Sequence, residues 1–452
     1  MLQLLLAAPN SGSGKTTVTC ALLAALKKMG HNPCAFKCGP DYIDPMFHRA
    51  VLGVESHNLD LFLSSQKTVR TLYASSAAGH DAAICEGVMG FYDGLGGVTD
   101  TASAWHLADT LDLPVLLVVQ PKGASLTVAA QIKGLIDFRA QSRIAGVLLN
   151  DCSESLYKML APMLERETGV PMLGYLPHLP QAVIGSRHLG LYTAAEVKDL
   201  QQKLDVLADA ACKTVDWERL LQIYSRPLQQ SAPQKSIEAK TKIAVAHDEA
   251  FCFTYAETIE SLEAAGAEIV FFSPLKDDKL PEGICGIYLP GGYPELHAEE
   301  LSNNKHMLKA ICQAYAKKMP VAAECGGFLY LGQSLEAADG NVYPMAGILP
   351  GHGTKAGRLV RFGYAELTAQ SDSMLLCTGE VLHIHEFHHW DSSDNGTAFA
   401  AKKPLTGKSW GCGFANDHLY AGFPHLYWAG THLPQRFVDA AIKYQGESIS
   451  ND

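Results

Sequence analysis

The residues best suited to chemistry begin with Ala322-Ala323-Glu324-Cys325-Gly326-Gly327-Phe328-Leu329-Tyr330. A β-type run from Pro320 to Ala323 leads into a cysteine, two glycines and a helix-like run. That order describes a nucleophile elbow, with Cys325 on a sharp strand-to-helix turn and glycines leaving room for substrate. The Gly326 N–H then points where an oxyanion would form, and the helix N-terminus is expected to favour a thiolate. A lone cysteine is more often a small buried apolar residue, and the flanking glycines reverse that reading here. Upstream, Pro290-Gly291-Gly292-Tyr293-Pro294-Glu295 follows another β-type run. Gly292 there could supply the second oxyanion N–H, or the pair could simply make a tight turn. A cysteine nucleophile also needs a base, and His425, opening a strand expected over His425–Ala429, comes from a distant segment as such bases do. The cluster His383, His385, His388 and His389 invites a metal reading, but no known ligand spacing completes it. A substrate-facing or structural role is expected.

A second group of residues could bind phosphate. A strand expected over Leu2–Ala8 runs into Pro9-Asn10-Ser11-Gly12-Ser13-Gly14-Lys15-Thr16-Thr17, then into a helix from Thr16 to Met29. Successive N–H groups and a helix N-terminus make an anion cradle. Lys15 would reach the outer phosphates and Thr16 would hold Mg²⁺. Pro9 stands where the usual pattern has its first glycine.

Carboxylates follow. Phe36-Lys37-Cys38-Gly39-Pro40-Asp41-Tyr42-Ile43-Asp44-Pro45 carries two acids in a proline-bounded loop after a strand. Asp41 and Asp44 could bind Mg²⁺ or orient a reacting carboxylate; capping a turn is the equal alternative. Asp81-Ala82-Ala83-Ile84-Cys85-Glu86-Gly87 ends a buried strand with Glu86, and the next loop carries Asp93. An acid at a strand end beside a phosphate loop is where a Mg²⁺ ligand belongs. Asn150 closes the apolar run Ile144–Leu149, placed either to meet an adenine amino group or to cap the strand. Arg187 and His188 lie in a loop and could meet an anionic substrate.

The elements that must position these groups alternate between apolar runs and helical segments. Continuous apolar runs such as Pro114–Val119 suit parallel strands covered on both faces, so a doubly wound sheet is expected. At 452 residues, with 47% hydrophobic and 18% charged residues, the chain suggests about two to three soluble domains. The polar, proline-containing stretch 226–241 reads as a linker between domains over 1–225 and 242–452. The second domain restarts with a strand at Lys242–Ala246 and a helix reaching Ala265, and turns antiparallel after Cys325, at Arg361–Glu366, Val381–His385 and Phe399–Lys402. A net charge of −11 argues against nucleic-acid binding. No apolar run approaches the ~18 residues of a membrane helix, so no membrane partner is expected. The start lacks a basic leader and the 12 cysteines are scattered, which suits reduced thiols in the cytoplasm.

The combination PNSGSGKTT, KCGPDYIDPMFH, EGVMGFYDG, RHLGL, LPGGYPELHA, AECGGFLYL, RFGY, HEFHHW and PHLYWAG resembles the cobyrinate a,c-diamide synthase family over nearly the whole chain. The resemblance implies a dethiobiotin-synthetase-like ATP domain joined to a class I-like glutamine amidotransferase α/β domain of the Cys–His kind. It implies Cys325 as nucleophile, His425 as base, and Gly292 and Gly326 at the oxyanion. It places the ATP phosphates on Asn10, Ser11, Gly12, Ser13, Gly14, Lys15, Thr16 and Thr17, and Asn150, by its position at a strand end, is the candidate for the adenine. Mg²⁺ would lie on Thr16, Asp41 and Glu86, and substrate on Asp41, Tyr42, Asp44, Asp93, Arg187 and His188. Gln120-Pro121 departs from the acid and small residue usual in the family, and Tyr427 replaces a frequent second histidine.

The implied reaction is a ligation. Glutamine gives ammonia at Cys325, ATP converts a substrate carboxylate to an acyl phosphate, and ammonia makes the amide. Cobyrinate, L-glutamine and ATP are the implied partners, the c acetate reacting before the a acetate; the assembly could be a homodimer. Nickel-sirohydrochlorin or hydrogenobyrinate could replace cobyrinate, since the motifs are shared. A ParA/MinD-like ATPase switch is the reading from another class. It is disfavoured by the cysteine elbow and by Asn10 where those proteins carry a lysine.

Overall fold

The computed structural model describes residues 1–182, 194–229 and 238–449. They form two compact units: the first holds 1–182 and 194–229, the second 238–449.

The first unit is built on β1 (Leu2–Ala7), β2 (Pro33–Cys38), β3 (Ser56–Leu59), β4 (Ala82–Glu86), β5 (Val115–Val119), β6 (Ile144–Leu149) and β7 (Met172–Tyr175). They form one parallel sheet in the order β3-β2-β4-β1-β5-β6-β7. Every residue of β1 is buried because both faces are covered. Leu5 and Ala7 join one core, while Leu2, Leu4 and Leu6 join the other. The helix Lys15–Lys28 buries Val18, Leu22, Ala25 and Leu26 in this second core. Strand order reverses between β1 and β4, so the loops leaving these strands open a crevice at the carboxyl edge. Register then aligns what reaches that edge: Leu6 pairs with Glu86, and Glu86 with Lys37.

The second unit contains two sheets. Its strands are β8 (Thr241–Ala246), β9 (Ala267–Phe272), β10 (Gly286–Leu289), β11 (Val321–Glu324), β12 (Ser334–Glu336), β13 (Val342–Pro344), β14 (His352–Ala369), β15 (Val381–Ser392), β16 (Phe399–Lys402), β17 (Ser409–Cys412), β18 (Phe414–Asn416), β19 (Leu419–Gly422) and β20 (His425–Leu426). The first sheet, ordered β18-β19-β11-β10-β8-β9, is parallel except for edge strand β18. The second is mostly antiparallel around the long pair β14–β15.

Two strands differ from the sequence expectation, while the helix after β8 starts at Ala256, past the segment from His247 to Phe251. Buried Asp248 accepts the amides of Ala250, Phe251 and Leu275 and the Ser273 hydroxyl, which holds this segment out of a helix. The strand expected over Arg361–Glu366 is the middle of an eighteen-residue β14, bent where its register with β15 shifts near Val360. The strand expected over His425–Ala429 is only two residues long, pairing with Ile384 and His385 of β15.

Candidate active sites

In the first unit, the loop between β1 and the helix Lys15–Lys28 turns through Gly12 at φ 78° and Gly14 at φ 89°, a left-handed region glycine tolerates. A side chain on Gly14 would stand 2.0 Å from Asn150 Nδ2. Asn150 Nδ2 donates to Ser13 O at 3.1 Å, so the side chain braces the loop. Ser13 Oγ donates to Asn10 O at 3.0 Å, and the Asn10 amide donates to Ser11 O at 2.7 Å. Lys15 Nζ reaches the carbonyls of Met89 and of Asn10. Burial, then the nearby Lys37 charge, lowers the Lys15 pKa, with Glu86 and Asp93 opposing. Thr17, next along the helix, is half-buried.

The carboxylates divide by partner. Glu86, fully buried, accepts from Thr16 Oγ1 at 2.7 Å and from Lys37 Nζ at 2.8 Å, both on Oε1; its buried Oε2 has no hydrogen-bond partner. Lys37 also holds Asp44 Oδ2 at 2.5 Å. Asp41 Oδ1 accepts the amides of Ile43 at 2.8 Å and Asp44 at 3.2 Å, capping a short turn of helix. Burial raises the Asp41 and Glu86 pKa values, with Lys37 opposing both. For Lys37 burial acts against the charge, but Glu86, Asp44 and Asp41 outweigh it and leave the pKa well above the ordinary value. Asp93 Oδ2 accepts the Gly90 amide at 3.0 Å within its own loop. Tyr42 is largely buried beside this cluster.

Lys37 is the residue the sequence reading passed over, although its signal was present: a lysine in an otherwise apolar strand, paired in register with Glu86. Asn58 was missed too; its amide ties the carbonyls of Gly39 and Asp41 and so fixes the acidic loop. Arg187 and His188 lie outside the described residues.

Mg²⁺ fits this corner. Thr16 and Glu86 already touch, and an orphaned carboxylate oxygen lies beside them. Mg²⁺ takes one or two protein ligands, with water and phosphate completing the shell.

In the second unit, Cys325 follows the end of β11 at φ 46° and ψ −99°, a strained conformation for a residue other than glycine. Its N–H donates to Gly422 O at 2.8 Å, and its carbonyl accepts Leu329 N at 3.0 Å to start the helix Gly326–Leu331. The glycines are there for close approach. A Cβ on Gly327 would stand 2.1 Å from Leu289 O, one on Gly326 3.0 Å from Gly292 N, and one on Gly291 2.6 Å from His425 Cε1. The Gly292 amide therefore lies against the elbow, and the His425 ring against Gly291. The Gly326 amide hydrogen-bonds toward the Cys325 sulfur.

The expectation of a resting thiolate is corrected. Burial first, then the carboxylates of Glu295, Glu386 and Glu324, push the Cys325 thiol well above its ordinary pKa. His425 is buried, and burial followed by His385 and His388 lowers it to about 3, leaving a neutral imidazole. Its Nδ1 lies 3.8 Å from Glu324 Oε2.

The histidine cluster is dispersed. His383 and His389 are exposed, His385 is half-buried beside Tyr364, and His388 stacks on Phe423 at 3.8 Å while meeting Glu386 at 3.1 Å. Among the described residues no group of three or more His, Cys, Asp or Glu side chains could hold a metal ion.

Comparison with known proteins adds to this geometry. Residues 4–187 match the CobQ/CobB/MinD/ParA nucleotide binding domain, and residues 242–432 the CobB/CobQ-like glutamine amidotransferase domain. The chain is 38% identical over 436 residues to a cobyrinate a,c-diamide synthase of Clostridium tetani, covering 95% of this chain and 98% of that one. It is 38% identical to the synthase of Caldanaerobacter subterraneus, covering 93% and 94%, and 38% identical to that of Salmonella typhimurium, covering 94% and 95%.

Proposed function

The chain belongs to the cobyrinate a,c-diamide synthase family of ATP-dependent, glutamine-using amide ligases, and from that premise we propose a division of the reaction between its two units. The second unit hydrolyses glutamine. Cys325 Sγ attacks the side-chain amide, His425 takes the thiol proton and passes it to the leaving ammonia, and water later releases glutamate from the thioester. The amides of Gly292 and Gly326 hold the oxyanion. Because the thiol is held protonated, its proton leaves during attack.

The first unit activates the acid. The loop from Asn10 to Thr17 binds the ATP phosphates, Lys15 turns from its backbone carbonyls to the outer phosphates, and Asn150 keeps the loop in shape. A carboxylate of cobyrinate attacks the γ-phosphorus, giving an acyl phosphate and ADP; ammonia then displaces phosphate to leave the amide. Thr16 and Glu86 would hold Mg²⁺, which supplies charge neutralisation when bound. Asp41, Tyr42, Asp44 and Asp93 would orient the substrate carboxylate, and the c acetate would react before the a acetate. Lys37 keeps the Asp44–Glu86 pair from repelling a further anion.

The observation that carries this reading is the strained Cys325 elbow, built against the Gly292 amide. Its test compares nitrogen donors. Cys325→Ser and His425→Asn should abolish glutamine-dependent synthesis and keep ammonia-dependent synthesis, whereas Lys15→Ala should lose both. Wild-type glutamate release by Cys325→Ser would refute the assignment. Competition among cobyrinate, hydrogenobyrinate and nickel-sirohydrochlorin identifies the macrocycle.

A further inference from the structure

We propose that Glu324 is the positioning residue of the glutaminase site, a carboxylate that orients His425 through Nδ1 and balances the imidazolium formed in each turnover. The inference rests on Cys325 and His425 being the reacting pair.

Glu324 is the last residue of β11 and immediately precedes Cys325. Its register partner on β19 is Gly422, three residues before His425. Nucleophile and base are thus set by the same strand pairing that sets this carboxylate. Oε1 is fixed by Trp428 Nε1 at 3.0 Å. Oε2 is buried without a hydrogen-bond partner and lies 3.8 Å from His425 Nδ1. Burying an acceptor unpaired is unfavourable, so such an atom calls for an explanation. Catalytic hydrogen bonds are often long before substrate binds and tighten afterwards.

The chemistry needs this contact. A base that removes the Cys325 proton through Nε2 must carry its own proton on Nδ1, and an acceptor at Nδ1 selects that tautomer. His385 and His388 on β15 both disfavour an imidazolium at His425. Tyr288 on β10 and Tyr420 on β19, held well above their ordinary pKa values, carry no charge near neutrality. Glu386 and Glu295 act on Cys325. Glu324 is the acid placed at Nδ1. Burial pushes it up to about 8, against hydrogen bonds from Trp428, Leu426 and Tyr288. Below that pH the carboxyl is neutral and gives no charge to balance an imidazolium at His425; above it the carboxylate does. Glutaminase kcat/KM should therefore climb through a limb near pH 8.

Glu324→Gln in the full-length chain tests this. The expected result is a fall in glutaminase kcat of about 10²-fold or more, a KM for glutamine within about twofold of wild type, and loss of the limb near pH 8. Ammonia-dependent synthesis reports that the chain is folded. Wild-type kcat with an unchanged pH profile would overturn the inference while leaving the Cys325–His425 reading intact. Glutaminase activity surviving in Cys325→Ser would instead overturn that reading. If the variant does not fold, ¹⁵N NMR of histidine-labelled wild-type protein decides. A neutral His425 protonated on Nδ1 supports the role of Glu324, and one protonated on Nε2 overturns it.

Discussion

Lys37 Nζ and Glu86 Oε1 lie 2.8 Å apart on adjacent parallel strands, at positions paired in register, and both side chains are buried. Breaking a buried ion pair from one side leaves an uncompensated charge, a loss of about 3–5 kcal/mol. Lys37→Met should therefore lower stability by that order, and Lys37→Met/Glu86→Gln should recover a large part. Denaturant midpoints of the wild type, both single variants and the double variant measure this coupling. Additive losses would show that the pair is not coupled.

Asn150 separates two roles. As a brace it donates to Ser13 O and shapes the phosphate loop, which every nucleoside triphosphate needs. As an adenine contact it would discriminate against guanine. Asn150→Ala should raise KM for ATP and GTP by similar factors, about tenfold, as expected for loss of roughly 1.4 kcal/mol of loop hydrogen bonding. A selective loss for ATP would assign Asn150 the adenine role instead.

The Cys325 thiol should resist alkylation. A raised pKa means that thiolate is a minor species at neutral pH and grows about tenfold per pH unit. Iodoacetamide inactivation, read as loss of glutaminase activity, should still be accelerating at pH 9. A plateau by pH 7 would mean a resting thiolate.

Much of this was legible in the sequence. The two-domain α/β architecture showed in the apolar runs and the polar linker, the phosphate loop in Gly12 and Gly14, which take left-handed backbone, and the elbow in Gly326 and Gly327, which leave room for close approach. Lys37 and Glu324 were harder to see. Each is a charged residue at the end of an apolar strand, and its meaning depends on a partner that register brings from far along the chain. The crowded stretch His383-Ile384-His385-Glu386-Phe387-His388-His389 was not expected to bind a metal, and strand alternation puts His388 on the buried face, apart from His383, His385 and His389 on the other. The thiolate expectation counted one helix end and neither the burial of the thiol, which weighs most, nor the acids Glu295, Glu386 and Glu324 around it.

The four acids of the first unit can be separated by their amide variants. Asparagine and glutamine keep an acceptor oxygen, so they spare a turn cap while removing charge. Asp41 caps the turn through Oδ1, and Asp41→Asn should keep that cap and the fold. Any loss of synthesis in this variant then reports the missing charge near substrate. Glu86→Gln removes the carboxylate that touches Thr16 and carries the orphaned oxygen, so it should block phosphoryl transfer with glutamine and ammonia alike. Asp44→Asn loses the second counter-charge of Lys37 and should do the same. Asp93 differs, since its Oδ2 is already engaged by the Gly90 amide within its own loop. Asp93→Asn should permit the first amidation and slow the second, so that monoamide accumulates. Product distribution followed over time by chromatography measures all four. Normal diamide formation by Glu86→Gln would remove Glu86 from the Mg²⁺ site. Equal slowing of both steps in Asp93→Asn would remove only the claim about order.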